Sequence, residues 1–185
     1  MNNTYNLIKN YTPINEQEIS DKNYFLDSFK CGDVLSRNCL QAHFTASAFI
    51  INETKDKVLC IFHNIYKSWG WVGGHADGDD NMLYVAEKET KEETSLKNFS
   101  LLYPEPIAID SLGVQSHYKN GHFVPSHTHL NVTYLFQASE KDFIHIQEDE
   151  NSDIAWLTFD ELLSKSSEPH MIYVYKKIIK RVLSL

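Results

Sequence analysis

At 185 residues the chain is long enough to bury one sizeable core and short for two. Hydrophobic residues make up 42% and charged residues 23%, the balance of a soluble globular domain and not of a disordered or membrane-embedded chain. A formal net charge of −8 argues against general binding to nucleic acid or anionic membranes, so any phosphate compound it handles needs local charge compensation. The three cysteines, Cys31, Cys39 and Cys60, have neither disulfide-framework nor zinc-knuckle spacing. With no apolar run of signal-peptide or membrane-helix length, the expected setting is the reducing cytoplasm.

Taken in order, the first forty residues predict helix. "EQEISDKNYFLDSF" carries Ile19, Tyr24, Phe25, Leu26 and Phe29 at mixed helical spacings, and "DVLSRNCLQ" after Gly32 suggests a short second helix. The period then changes. "HFTASAFIIN" and "KVLCIFH", joined by "ETKD", predict a β-hairpin. "KSWGWVGGHADGDDN" holds four of the seven glycines and is expected to be mainly loop, with a tryptophan-bearing strand entering a Gly-Gly pair. It runs into "MLYVAEKETKEET", a helix. Strands are expected in "EPIAIDSLGVQ", "THLNVTYLFQA", "FIHIQ" and "DIAWLTF". Two helices close the chain, the second beginning near Pro169. Strands and helices mix without strict βαβ alternation. That predicts the α+β class: an α/β/α sandwich with a mixed sheet between helices.

The segment "EKETKEETSL" packs four glutamates into seven residues. On a helix turning roughly 100° per residue, Glu89, Glu92 and Glu93 share one side and Glu87 falls nearly opposite. Met82, Val85 and Ala86 lie on the same side as the three, so the acids continue the apolar stripe instead of opposing it. Carboxylates aimed inward need a cation or strong hydrogen bonds; the plain alternative is a glutamate-rich helix end softened by Lys88 and Lys91. "GGHADGDD" precedes the helix, with Asp77, Asp79 and Asp80 near its positive end. Hard oxygen donors without nearby cysteine suit Mg²⁺ or Mn²⁺.

From Gly74 to Leu96 this stretch resembles the Nudix hydrolase box, G-x5-E-x7-R-E-U-x-E-E-x-G-U with U bulky and apolar. Glu89, Glu92, Glu93 and Leu96 match. Asp80 stands for Glu, Lys88 for Arg, Thr90 for the first apolar residue and Ser95 for the last glycine. The resemblance covers roughly His43 to Leu163 and implies the Nudix fold within a single domain of residues 1–185. Its parts would be a helical extension (1–42), a core (43–163) and a C-terminal helix (169–185). It further implies Mg²⁺- or Mn²⁺-dependent cleavage of a diphosphate bond in a nucleoside diphosphate linked to another group. Glu89, Glu92, Glu93 and the carbonyl of Gly73 would be the metal ligands. Glu89 or Glu92 would be the general base, with Lys88 beside them. Glu148 and Glu150, in "QEDENSD", are the alternatives for a late-loop ligand or base, against the plain reading of a solvated acidic turn.

"SHTHLNV" puts His127, His129 and Asn131 on one side of a strand. With His117 and His122 nearby a metal site is conceivable, but a polar strand face lining a cleft is the simpler reading. Between the two, His127, His129 and, inside the box, His75 and Gly74 would touch substrate phosphate or sugar. Trp69, Trp71, Phe62 and Tyr66 are either base-stacking or core aromatics. Two rival functions stay open: a nucleotide sensor on the same fold with weak or no catalysis, motivated by Asp80, Lys88 and Ser95, and, ranked last, a prenyl diphosphate isomerase. Pairing of two copies through the N-terminal helices is left open too.

Overall fold

The computed structural model describes residues 3–119, 121–146 and 151–185. In chain order its elements are α1 (Asn3–Asn10), α2 (Glu16–Ser28), β1 (Ala42–Ile51), β2 (Lys57–His63), β3 (Ser68–Gly70), β4 (Val72–His75) and α3 (Met82–Thr94). Then come β5 (Phe99–Leu101), β6 (Ala108–Val114), β7 (His117–Lys119), β8 (His122–Val124), β9 (His127–Ala138), β10 (Asn151–Thr158), α4 (Phe159–Lys165) and α5 (Pro169–Val182).

β1 is buried along its whole length, as a central strand covered on both faces must be. It pairs in parallel with β9 from Ala42↔Thr128 to Ile51↔Gln137. Its other edge is shared: β4 pairs with it antiparallel from Thr45 to Ala48, and β2 takes over at Ile51↔Val58. The main path runs β10-β2-β1-β9-β5, with β3 on β2, β4 on β1 and β6 on β9, a mixed sheet as expected.

Alternation along β1 builds two cores. Phe44, Ala46, Ala48 and Ile50 face a cluster with Ile8, Phe25, Met82, Val85 and Ala86 from α1, α2 and α3. Phe49 and Ile51 face the opposite cluster with Leu162 of α4 and Met171, Val174, Tyr175 and Ile178 of α5. The sheet is thus sandwiched between helical layers. On the α5 face only the far half of β1 is apolar. His43, Thr45 and Ser47 continue that face as polar residues, and this half opens into a cleft.

The N-terminal helices bury Ile8 and Phe25 in this same chain, while Ile19 and Tyr24 of α2 stay exposed. They are fixed by charge as well: Lys177 Nζ of α5 lies 3.1 Å from Glu18 Oε1 and 2.6 Å from Asp110 Oδ1, all three nearly solvent-free. The Tyr11 hydroxyl donates to Glu18 Oε2 at 2.7 Å. Burial pushes Asp110 up to about 7, against the pull of Lys177. No helix among the described residues is long and apolar enough to cross a membrane.

Three local expectations need correction. Segment 33–41 is not a helix. Its backbone is spent across the fold: Phe44 N–H bonds Val34 O at 2.8 Å and Gly78 N–H bonds Leu35 O at 2.9 Å. Ser36 Oγ accepts from Asn38 N–H at 3.1 Å, the local competition that keeps such residues out of helices. The glycine-rich stretch is less loop than expected, for it contains β3 and β4. Finally, residues 143–146 form no strand; His145 N–H bonds Thr94 O at 2.8 Å, at the end of α3.

Candidate active site

α3 starts on Asn81, whose side chain accepts from Tyr84 N–H at 3.2 Å. It ends on Ser95, which takes the left-handed conformation at φ 56°, ψ 10° where a glycine would rest without strain. Met82, Val85, Ala86, Thr90 and Thr94 are buried, so the stripe read from the wheel is the packed face. Its C-terminal half delivers the glutamates to β4. Gly73 N–H donates to Glu93 Oε2 at 3.0 Å, and Asn151 Nδ2 donates to Glu93 Oε1 at 3.1 Å. Glu89 fills the space where a Cβ on Gly74 would lie. A Cβ on Gly73 would strike Ser47 Oγ at 2.6 Å and Ala46 O at 2.7 Å. These glycines are therefore needed in a strand, for close approach, and not as turn residues.

The three carboxylates are not equally sunk. The Glu89 side chain is 15% exposed and Glu92 57%, so Glu92 stands at the rim where full inward orientation was expected. Lys88 Nζ sits 3.7 Å from Glu89 Oε1 and 3.6 Å from Glu92 Oε2. Asp80, in the place of the box glutamate, turns to the extension: its carboxylate accepts from Asn3 N–H and Asn3 Nδ2, both at 3.0 Å.

The carboxylates open on a cavity of about 820 Å³, within the usual span for small-ligand sites. Glu89, Glu92, Glu93, Gly73 and Gly74 line it, and so do His75, His127 and His129. His117, Trp71 and Tyr66 line it too, whereas His122, Trp69 and Phe62 do not, and Lys88 lies outside the lining but within ion-pair reach of Glu89 and Glu92. Glu148 and Glu150 lie outside the described residues.

The sequence reading missed His43, Thr45, Ser47 and Asn151. Thr45 and Ser47 hydroxyls donate to Asn131 Oδ1 at 2.8 and 2.9 Å, a satisfied buried network under the cavity floor. The signal was present: His43, Thr45 and Ser47 alternate with apolar residues at period two, as His129 and Asn131 do in β9. Strand register then puts both sets on one face.

The histidines crowd. Nε2 of His129 lies 3.2 Å from Nε2 of His75 and 3.2 Å from Nε2 of His127. His43 stacks on His127 with ring centroids 4.8 Å apart. Burial drives His129 down to about 2, with His75, His43 and His127 adding repulsion. Burial also lowers His43, opposed by the Cys39 carbonyl. At the mouth, paired hydrogen bonds from Arg37 hold the Asp77 carboxyl below the usual carboxylate range. At another wall, burial raises Glu168, with His170 3.8 Å away opposing. Trp71 is buried and meets Tyr175 edge-on at 5.3 Å, while Tyr66 is exposed.

The residues present fit a hard divalent cation. The carboxylates of Glu89 and Glu93 are drawn against strand glycines, and Asn151 Oδ1 is buried there without a hydrogen-bond partner. Oxygen donors of this kind suit Mg²⁺ or Mn²⁺.

A search of curated proteins by sequence gave no match. Solved structures are similar in fold. A C. elegans Ap4A hydrolase has 14% identity and a TM-score of 0.56 over 76% of this chain and 99% of its own. The E. coli dihydroneopterin triphosphate pyrophosphohydrolase has 14% and 0.57 over 77% and 96%. RenU, a Nudix hydrolase from M. smegmatis, has 13% and 0.59 over 83% and 96%. A family model described as the NUDIX domain matches residues 42–178, most of the chain, and the protein therefore belongs to the Nudix hydrolase family.

Proposed function

We propose that the protein is a Mg²⁺- or Mn²⁺-dependent pyrophosphohydrolase that cleaves a diphosphate bond in a nucleoside diphosphate linked to another moiety. One observation carries the reading: Glu89, Glu92 and Glu93 line a ligand-sized cavity beside Gly73 and Gly74, two of them clamped against β4. Glu89, Glu92, Glu93 and the Gly73 carbonyl would hold the cation. When bound, the cation neutralises phosphate charge and lowers the pKa of water.

The chain's own residues do the rest. Glu93 is held by hydrogen bonds from Gly73 N–H and Asn151 Nδ2, so it can orient but has little freedom to move. Glu89 or Glu92 takes the proton from the attacking water. Lys88, within ion-pair reach of both, offsets their negative charge. The Gly74 backbone, His75, His127 and His129 form the substrate wall. The extension, core and C-terminal helix act as one domain, tied by the Lys177–Glu18–Asp110 cluster. The free cysteines and the charge of −8 fit a cytoplasmic enzyme.

The test is a substrate panel with Mg²⁺ or Mn²⁺: ADP-ribose, nucleotide sugars, dinucleoside polyphosphates, and oxidised and ordinary nucleoside triphosphates. Release of a nucleoside monophosphate, abolished by Glu92→Gln or Glu89→Gln, supports the reading. Tight binding of a panel member without turnover would replace it with a nucleotide sensor.

A further inference from the structure

Strand register, not chain proximity, assembles the four histidines. His43 of β1 is the Cα partner of His129 on β9, and Thr45 is the partner of both Asn131 and His75. Partners across a ladder project to the same side. His43, His129 and His75 therefore share one face, and each offers a ring nitrogen within 4.8 Å of the other two. His127, two residues before His129, joins them.

Their protons are placed by backbone carbonyls. His43 Nδ1 lies 3.1 Å from Cys39 O, and His127 Nδ1 lies 2.9 Å from Pro125 O. A carbonyl only accepts, so both Nδ1 atoms carry hydrogen, and in a neutral ring Nε2 is then a bare lone pair. His43 is 5% exposed, and its Nε2 is buried without a hydrogen-bond partner. Around His129 Nε2 the arrangement is also underfilled. It faces two imidazole nitrogens at 3.2 Å but can bear only one proton.

A cation answers each of these points. Two ligands of a tetrahedral ion at 2.0–2.1 Å stand about 3.3–3.4 Å apart, close to the 3.2 Å that separates His129 Nε2 from His75 and from His127, with His43 within 4.8 Å. A metal-bound histidine ordinarily donates its other N–H to a carbonyl or carboxylate, as His43 and His127 already do. An anion would need N–H donors where the fixed tautomers present lone pairs. We infer that His43, His75 and His129, with His127 or a water completing the set, bind a borderline transition-metal ion of the Zn²⁺ class. This is a second site in the cleft, with imidazole ligands where the proposed Mg²⁺ site has oxygens, and all-nitrogen ligation favours Zn²⁺, Co²⁺, Ni²⁺ or Cu²⁺ over Mg²⁺.

The experiment uses the full chain, stripped with chelator and then held in excess Mg²⁺ to occupy the carboxylates. Co²⁺ is titrated by visible absorption, and Zn²⁺ by displacement of the bound Co²⁺. One equivalent of Co²⁺ should give d–d bands of tetrahedral nitrogen ligation, without thiolate charge transfer, and Zn²⁺ should displace it. His43→Gln and His129→Gln should each weaken Zn²⁺ binding at least about tenfold, and Glu92→Gln should leave it unchanged. The wild-type spectrum decides even if a histidine variant fails to fold. Absence of the bands, thiolate charge transfer, or loss of Zn²⁺ binding in Glu92→Gln alone would overturn the site. So would binding of inorganic phosphate that depends on the histidines with no Co²⁺ bands. None of these outcomes depends on whether the protein turns over a diphosphate.

Discussion

Two polar clusters share one cleft and were built in opposite ways. The carboxylates come from five consecutive positions of one helix, 89–93, set by helical pitch alone. The histidines come from residues 43, 75, 127 and 129 on three strands, set by register. A helix carries its site as a unit, so α3 can be cut, capped or shifted as a block. A register-built site exists only when the whole sheet is paired, because a one-residue slip turns its side chains to the other face. The carboxylate cluster should therefore respond to substitutions as chemistry, and the histidine cluster as chemistry and folding together.

The widest separation of the two is expected in turnover. Replacing Glu92 or Glu89 by Gln should lower kcat on whichever panel substrate is cleaved by about 10²–10⁴-fold, the span associated with losing a positioned acid or base. Thermal stability should hardly change for Glu92→Gln, because that side chain is more than half exposed. Steady-state kinetics beside thermal melts check this. A loss of folding equal to the loss of rate would dissolve the contrast.

The neighbouring glycines give a finer cut. A Cβ on Gly74 would meet the Glu89 carboxyl, the end of a flexible side chain, whereas a Cβ on Gly73 would meet the β1 backbone at Ala46 and Ser47. Gly74→Ala should displace Glu89 and depress activity with a minor change in stability. Gly73→Ala should destabilise the sheet by about 1–3 kcal/mol, the usual scale of overpacking, and weaken the histidine cluster with it. Denaturant melts of the two variants, read against their activities, test the assignment.

How much of this the sequence disclosed follows the same line. The α3 stripe, the hairpin pairing of β1 with β2, and Pro169 at the first turn of α5 depend on residues a few positions apart, and all were legible. Segment 33–41 was misread because Val34 and Leu35 give their carbonyls to Phe44 and Gly78, which no local pattern announces. The glycines of β4 looked like loop because their reason, the closeness of Ser47 and Glu89, lies elsewhere in the chain. His43 escaped notice for the same cause: alone it is one histidine in an apolar strand, and only its pairing with His129 gives it company. Asn151 became relevant only through its bond to Glu93. The fold class survived these errors because alternation and helical period outweigh any one segment.

Acid should act on the histidine cluster. His129 and His43 have pKa values below that of an unfolded histidine. Between the folded value of about 2 and the unfolded value near 6.5, the unfolded chain binds the extra proton at His129, so stability rises with pH in that window. Taking the chelator-stripped protein from pH 6.5 to 5 should therefore cost up to about 1.4 kcal/mol per pH unit for His129. His129→Gln should flatten the slope, and Glu92→Gln should keep it. Urea midpoints across this range measure both; an unchanged slope in His129→Gln would remove that histidine from the account.

The smallest expected effect isolates α3 from the sheet. Ser95 holds φ 56° at the helix end, with its N–H on Lys91 O at 3.0 Å. A side chain in that conformation pays roughly 1 kcal/mol, which glycine avoids, though glycine returns part of it through greater freedom in the unfolded chain. Ser95→Gly should thus stabilise by about 0.5–1 kcal/mol, a rise of roughly 1–4 °C in Tm for a domain of this size. Thr94 still donates to Thr90 O at 2.5 Å and accepts from Leu96 N–H at 3.1 Å, so the last turn keeps its shape and the glutamates keep their places. Turnover and Zn²⁺ binding should then both stay at wild-type level while Tm climbs. A cap that altered Zn²⁺ binding would mean that the helix end and the strand register are coupled, and that the two clusters form one unit.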